Sequence, residues 1–150
     1  MSIDDKGEHQ MGVILAQITL SNPRHDNLRP ITVEALVDTG SMYTVIPEHL
    51  AIQLKLDTLL QREVTLADGS SRLCPYVGPI VLAFEDRSCF TGGLVMGQQV
   101  LLGAIPMGDM DLVVNPLTRT LGVNPLSPNI PSGIAMKVAQ KSTAFSAITR

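Results

Sequence analysis

Between Met11 and Leu20, one set of alternate positions collects Ile14, Ala16, Ile18 and Leu20, while the other carries Gln17 and Thr19. That period of two is the signature of a strand with one buried face. Ser21-Asn22-Pro23-Arg24-His25-Asp26-Asn27 is a run of turn formers. Beyond it Ile31, Val33, Ala35 and Val37 share a face opposite Thr32 and Glu34, so the two strands are expected to form a hairpin. The second strand ends in Asp38-Thr39-Gly40-Ser41, small polar or flexible residues that cannot continue it. An apolar strand thus delivers a carboxylate into a loop.

Thr44-Val45-Ile46 is short and β-branched, and Pro47 is expected to open a helix through Leu54 whose buried face is Leu50 and Leu54. Glu63 to Ala67 alternates again, with Val64 and Leu66 on one side, and Asp68-Gly69 is a hairpin turn signal, which together predict a projecting β-arm. Val77 to Phe84 and Phe90 to Met96 predict two more strands, separated by Glu85-Asp86-Arg87-Ser88. Val100-Leu101-Leu102 approaches Gly103, a weak helix is expected around Pro106 to Met110, and Leu112-Val113-Val114 and Leu117 to Val123 close the pattern. Many short strands with turn signals between them predict an all-β barrel or sandwich with one or two short helices. The domain is expected over residues 11–125, after a flexible N-terminus at 1–10. Ser127, Pro128, Asn129, Pro131, Ser132 and Gly133 punctuate the chain beyond it, so 126–150 reads as a C-terminal extension, disordered or interface-forming.

Composition narrows the chemistry. At roughly 100 to 200 residues per domain, 150 residues make one domain. A net charge of −3 with no basic block gives counterion-release binding nothing to work with, so no nucleic-acid partner is expected. Two tyrosines, three phenylalanines and no tryptophan make base stacking a poor fit. No apolar run approaches the ~18 residues of a spanning helix, so no integral membrane segment is expected. The polar, acidic start is unlike a signal peptide, which points to a cytoplasmic location. Cys74 and Cys89 suit neither a disulfide framework nor a metal motif and read as small buried residues. His9, His25 and His49 lack ligand spacing, and Asp109 and Asp111 read as a solvated helix end, so neither a metal nor any cofactor is implied. Met96, Met107 and Met110 read as core filler.

Three segments in order carry a resemblance. Val33-Glu34-Ala35-Leu36-Val37-Asp38-Thr39-Gly40-Ser41 with Tyr43-Thr44-Val45-Ile46-Pro47 resembles the first half of the retroviral-type (retropepsin-like) aspartic proteases, short bacterial forms included. Val64-Thr65-Leu66-Ala67-Asp68-Gly69-Ser70 looks like their flap. Leu101-Leu102-Gly103, a short helix and Asp111-Leu112-Val113-Val114-Asn115-Pro116 are similar to their closing segment. The likeness spans about residues 11 to 123 and implies a closed acid-protease half-lobe. Pro106 and Gly108 in the closing helix, Asn115 in place of an Asp, and a flap tip poor in glycine depart from the pattern.

The residues have chemical reasons of their own. Hydrolysing a peptide bond with an activated water takes one carboxylate to accept a proton and one carboxylic acid to donate one. A single chain offers one such loop, so a homodimer is expected to place Asp38 of each copy side by side across a two-fold axis. Like charges that close hold one proton between them, making acid and base the same residue in two states. Gly40 then lets the backbone pass close to the carboxylate and aims its N–H there, Thr39 reaches towards the partner loop, and Ser41 serves the outer carboxylate oxygen. The resemblance makes Ala67, Asp68, Gly69 and Ser70 a lid over an extended peptide substrate, although a solvated turn explains them as well. Leu101, Leu102 and Gly103 form the second loop, with Gly103 relieving contact where loops cross. An Asx-capped turn is the other reading of Asp38-Thr39-Gly40-Ser41. The rivals to a protease are a non-catalytic dimerisation or peptide-binding module of the same fold and a small-ligand barrel.

Overall fold

The alternating segments at the start of the chain pair as their period requires. In the computed structural model, which describes residues 13–133, β1 (Leu15–Ser21) and β2 (Ile31–Val37) are antiparallel, with Leu15 opposite Leu36 and Leu20 opposite Ile31. Next along the chain come β3 (Thr44–Ile46), α1 (Glu48–Gln53), β4 (Asp57–Thr65), β5 (Ser71–Phe84), β6 (Arg87–Val95), β7 (Leu101–Leu102), α2 (Ala104–Asp109) and a separate hairpin of β8 (Leu112–Asn115) with β9 (Thr120–Val123). The large sheet runs β1-β2-β7-β3-β6-β5, and β5 pairs back onto β1 with Leu20 opposite Leu82. Six strands therefore close a barrel, and β4 hangs outside it on β5 alone. Among the described residues the chain is mostly β with two short helices, as its hydrophobic pattern predicts. Among the described residues no helix is long and apolar enough to cross a membrane.

The barrel is filled with aliphatic side chains. Ile18, Leu20, Ala35, Ile46, Ile80, Leu82, Leu102 and Met110 are all but sealed from solvent, each large aliphatic one contributing roughly 1.5–3 kcal/mol by leaving water. Met107 and Met110 are buried filler as expected, whereas Met96 lies past the end of β6 and is half-buried. Cys74 and Cys89 are free and buried. Burial, with the charge of Asp109 adding to it, pushes the Cys89 thiol up to about 11, so it stays protonated and inert near neutral pH.

Several boundaries differ from the sequence pattern, each for a local reason. The arm starts at Asp57 rather than Glu63, and β5 begins at Ser71 rather than Val77. The added residues include Pro75, which is tolerated because β5 pairs with β6 only from Tyr76 onwards, so Pro75 has a single neighbour, β4, and one side of its backbone is unused. Pro47 is the extended N-cap of α1 rather than its first helical residue. In α2 the N-cap is Gly103, which puts Pro106 in the first turn, where helix N–H groups have no partner to lose. β9 starts at Thr120 instead of Leu117 because Asn115 Oδ1 accepts from the N–H groups of Leu117 and Thr118 and closes a turn there.

The largest departure lies at Arg87 and Asp111. Arg87, expected in a polar turn, opens β6 and is 2% exposed. Its guanidinium donates to the carbonyls of Met110 (3.1 Å) and Asp111 (3.4 Å), where α2 ends, and to that of Ser127. A cation against carbonyls at a helix C-terminus is a favourable arrangement. Asp111 is not the solvated helix end its sequence suggested. It accepts from Ser127 Oγ, from the Ser132 N–H at 2.9 Å and from Asn124 Nδ2 at 3.0 Å. These residues fasten the stretch after β9 to the barrel through its beginning at 126–133, while the remainder of the expected extension and the expected flexible N-terminus lie outside the described residues.

Ser127 first, then the Ser132 N–H and Asn124, hold the Asp111 carboxyl down at about 2. A carboxylate depressed in the fold contributes stability that is complete above its unfolded value and is lost as pH falls through its folded one. Asp111→Asn is therefore expected to lower the thermal midpoint near neutral pH. The gap to the unsubstituted protein should narrow between about pH 4 and about pH 2 in parallel melts. A gap that persists unchanged at acid pH would mean that the carboxylate charge has no part in the fastening.

Candidate active site

Asp38 comes directly after β2, whose Val37 is buried in the barrel while Thr39 and Gly40 are exposed. Its backbone N–H donates to the Leu102 carbonyl at 2.9 Å, extending the parallel β2–β7 pairing by one bond, and Asp38 itself is half-buried. The chain then turns: the Ser41 N–H donates to the Asp38 carbonyl at 3.2 Å. Within this turn both carboxylate oxygens gain a donor, Oδ1 from the Gly40 N–H at 2.9 Å and Oδ2 from Ser41 Oγ at 3.1 Å. A Cβ on residue 40 would lie 3.2 Å from Oδ1, a tight approach that glycine avoids. The carboxylate is thereby aimed by its own loop, with Thr39 at the surface beside it.

The loop is held from behind by a second one. β7 is two residues long and sits between β2 and β3, parallel to the first and antiparallel to the second. Leu102 buries its side chain completely while its carbonyl takes the Asp38 N–H, and Leu101 pairs with both Leu36 and Val45. Past Gly103 the chain crosses the segment leaving the Asp38 loop. The Ala104 N–H donates to the Ser41 carbonyl at 2.7 Å, and the Ile105 N–H to that of Met42 at 3.0 Å. Those carbonyls satisfy two of the N–H groups that begin α2. A Cβ on residue 103 would meet the Tyr43 carbonyl oxygen at 2.4 Å and the Met42 carbonyl carbon at 2.7 Å, so the crossing demands glycine.

The projecting arm is the β4–β5 hairpin. Its tip is a three-residue loop in which the Gly69 N–H donates to Leu66 and the Leu66 N–H to Ser70, with Gly69 at φ +87°. Asp68 Oδ1 accepts from the Ser70 N–H at 2.9 Å and Ser70 Oγ at 2.6 Å, and these bonds hold its carboxyl below the usual carboxylate range. Ala67, Asp68, Gly69 and Ser70 are thus exposed and engaged in shaping their own turn.

Asp38, Thr39, Gly40 and Ser41 are brought together with Leu101, Leu102 and Gly103; the arm-tip residues belong to a separate turn. What joins the arm to the Asp38 side is a cluster that sequence reasoning passed over. Arg62 on β4 lies with its guanidinium carbon 5.1 Å from the ring centre of Tyr43 and 4.7 Å from that of Tyr76, and the two rings meet edge to face at 6.1 Å. Starting the strand at Glu63 left Arg62 out, although it shares the period of Val64 and Leu66, and all three are half-buried. Tyr76 packs over Gly92, where a Cβ would fall 2.4 Å from the ring. No protein-family model matches the chain, and no curated protein matches it either.

The two glycines of this region give opposite expectations. Gly103→Ala forces two backbone segments apart and is expected to destabilise by about 1–3 kcal/mol, the range for overpacking. Gly108→Ala, inside α2 with nothing within 4 Å of the added methyl, is expected to stabilise by roughly 0.5–1 kcal/mol through helix propensity. Urea unfolding of both variants checks the pair, and equal effects would refute the crossing as the constraint.

Proposed function

We propose that the chain is one half of a retropepsin-like aspartic endopeptidase, completed when two copies meet across a two-fold axis through their Asp38 loops. The observation that carries this reading is a carboxylate at the end of an apolar strand, held by Gly40 and Ser41 and backed by the Gly103 crossing. In the dimer the two Asp38 side chains share one proton. The ionised one takes a proton from a water placed between them, and the protonated one donates to the carbonyl oxygen of the peptide as the water attacks. Thr39, exposed beside each carboxylate, faces the partner loop. The β4–β5 arm roofs the cleft, and an extended peptide pairs with strand edges there. The substrate is accordingly an extended peptide or protein segment, and no cofactor takes part.

One observation favours a second reading. The Gly40 N–H to Asp38 Oδ1 bond is an Asx turn, which also serves a non-catalytic dimerisation or peptide-binding module of the same fold. The two readings part at Asp38→Asn. An amide keeps an acceptor for the Gly40 N–H but removes both base and acid, so cleavage of a degenerate peptide library should fall by roughly 10²–10⁴-fold or more. The fold should survive, and dimerisation should no longer require uptake of a proton to relieve carboxylate repulsion. Unchanged cleavage would exclude Asp38 as the catalytic group, and loss of fold together with cleavage would make it a structural turn.

Completion by a second copy makes its own demand. Specific activity is expected to decline on dilution in step with the dimer fraction measured by sedimentation, because half a pair has no acid–base partner. A monomer of full specific activity would overturn the dimeric site.

A further inference from the structure

Under the arm, against Tyr43 on the segment that leaves the Asp38 loop, lies a groove of about 390 Å³ lined also by Leu60, Arg62, Val64 and Leu94. Gln61, Glu63 and Thr65 complete its lining, and Arg62 brings it a fixed positive charge. The guanidinium carbon lies over the rings of both Tyr43 and Tyr76, contacts that take up none of its N–H donors. Its Nε–H is buried with no acceptor. Among the described residues no carboxylate comes within ion-pair distance of Arg62; the ion pair they do form joins Arg24 to Asp57 at 3.4 Å. Glu63 also borders the groove, but as its neighbour on β4 it belongs to the other face of the strand and is exposed.

A half-buried cation whose charge is met by ring faces alone is costly to hold unless something completes it. We propose that Arg62 is the specificity residue of a substrate subsite that receives a glutamate or aspartate side chain of the bound peptide. This deepens the protease reading and takes its substrate class, an extended peptide, from it. A carboxylate entering the groove supplies the acceptor oxygens that the planar fork lacks, and arginine pairs with carboxylates in two parallel bonds. Its methylene stem meets Leu60, Val64 and Leu94. Tyr43, on the segment leaving the Asp38 loop, forms one wall of this subsite, and Tyr76 fixes it to the base of the arm.

The test uses full-length Asp38→Asn protein, which is expected to bind peptide without cutting it, and extended peptides in which Glu, Gln or Lys is walked through each position. At one position Glu is expected to bind about tenfold or more tightly than Gln, the effect of a charge-assisted hydrogen bond. Adding Arg62→Gln should remove that discrimination, Arg62→Lys should retain part of it, and Arg62→Glu should turn the preference towards Lys. If Arg62 merely packs the arm, all peptides weaken together and the Glu-to-Gln ratio stays put, which overturns the proposal. So does the absence of any Glu preference in the Arg62 protein. Cleavage by unsubstituted protein is scored separately. Discrimination without cleavage keeps the subsite and removes the protease, while cleavage without discrimination does the reverse.

Discussion

Everything at the candidate site depends on one backbone crossing. Between Met42–Tyr43 and Gly103 two segments approach so closely that a single methyl would collide with a carbonyl. The closeness lets β7, only two residues long, find partners on both sides: Leu36 and Val37 on β2, Val45 on β3. It also brings the carbonyls of Ser41 and Met42 to the N–H groups of Ala104 and Ile105, so a helix of six residues starts without a side-chain cap. Backbone N–H and C=O groups taken from water must be paired, and here two loops pair each other. The Asp38 carboxylate inherits its position from that arrangement, since its own N–H is one of the bonds in it.

How much could be read from the sequence depends on how local each cause is. Alternation in β1 and β2, the β-branched β3 and the Asp68-Gly69 turn are properties of neighbouring residues, so the hairpin, the short strand and the arm were legible. So was Asp38 as a loop carboxylate, since the apolar run before it and the small residues after it are adjacent. Arg87 was not, because the carbonyls that justify burying it come from Met110, Asp111 and Ser127, distant in sequence. Asp111 failed for the same reason, with its donors arriving from 124, 127 and 132. The start of β5 at Ser71 was not legible either, because a proline's cost in a strand, here Pro75, depends on whether that strand has one neighbour or two, which is a fact of the sheet. Tyr43, Arg62 and Tyr76 lie on three different segments, and only the closed barrel assembles them.

A carboxylate positioned this well would still be incomplete alone. Asp38 has a donor for each oxygen from its own loop, and among the described residues its side-chain hydrogen bonds bring it no acid or second base. Under the protease reading, the deficiency has a function. The residue is aimed by contacts that exist before any partner arrives, so association adds a second carboxylate without rebuilding the first. A dyad assembled from two prearranged halves needs little reorganisation at the moment of reaction, which is where electrostatic catalysis draws its strength. The same logic suits a loop backed by crossing backbone rather than by movable side chains.

The arm is built by the opposite rule. Beyond the barrel β4 and β5 form a two-stranded ribbon, and Leu59, Leu60 and Leu73 on it are exposed, leaving few buried contacts to hold it. Isolated two-stranded ribbons are marginally stable, and segments that open and close come from the least stabilised parts of a fold. What restrains this one is the stack of Arg62 with Tyr43 and Tyr76, seated on Gly92. A ring can turn or slide at little cost, whereas the backbone crossing at Gly103 cannot give. The molecule thus separates a rigid element that aims Asp38 from a soft arm, and Arg62 is where the arm meets Tyr43 on the segment leaving the Asp38 loop. Under the protease reading, a ligand that engages Arg62 acts on the arm and on the groove beneath it together, so recognition and closure become one event.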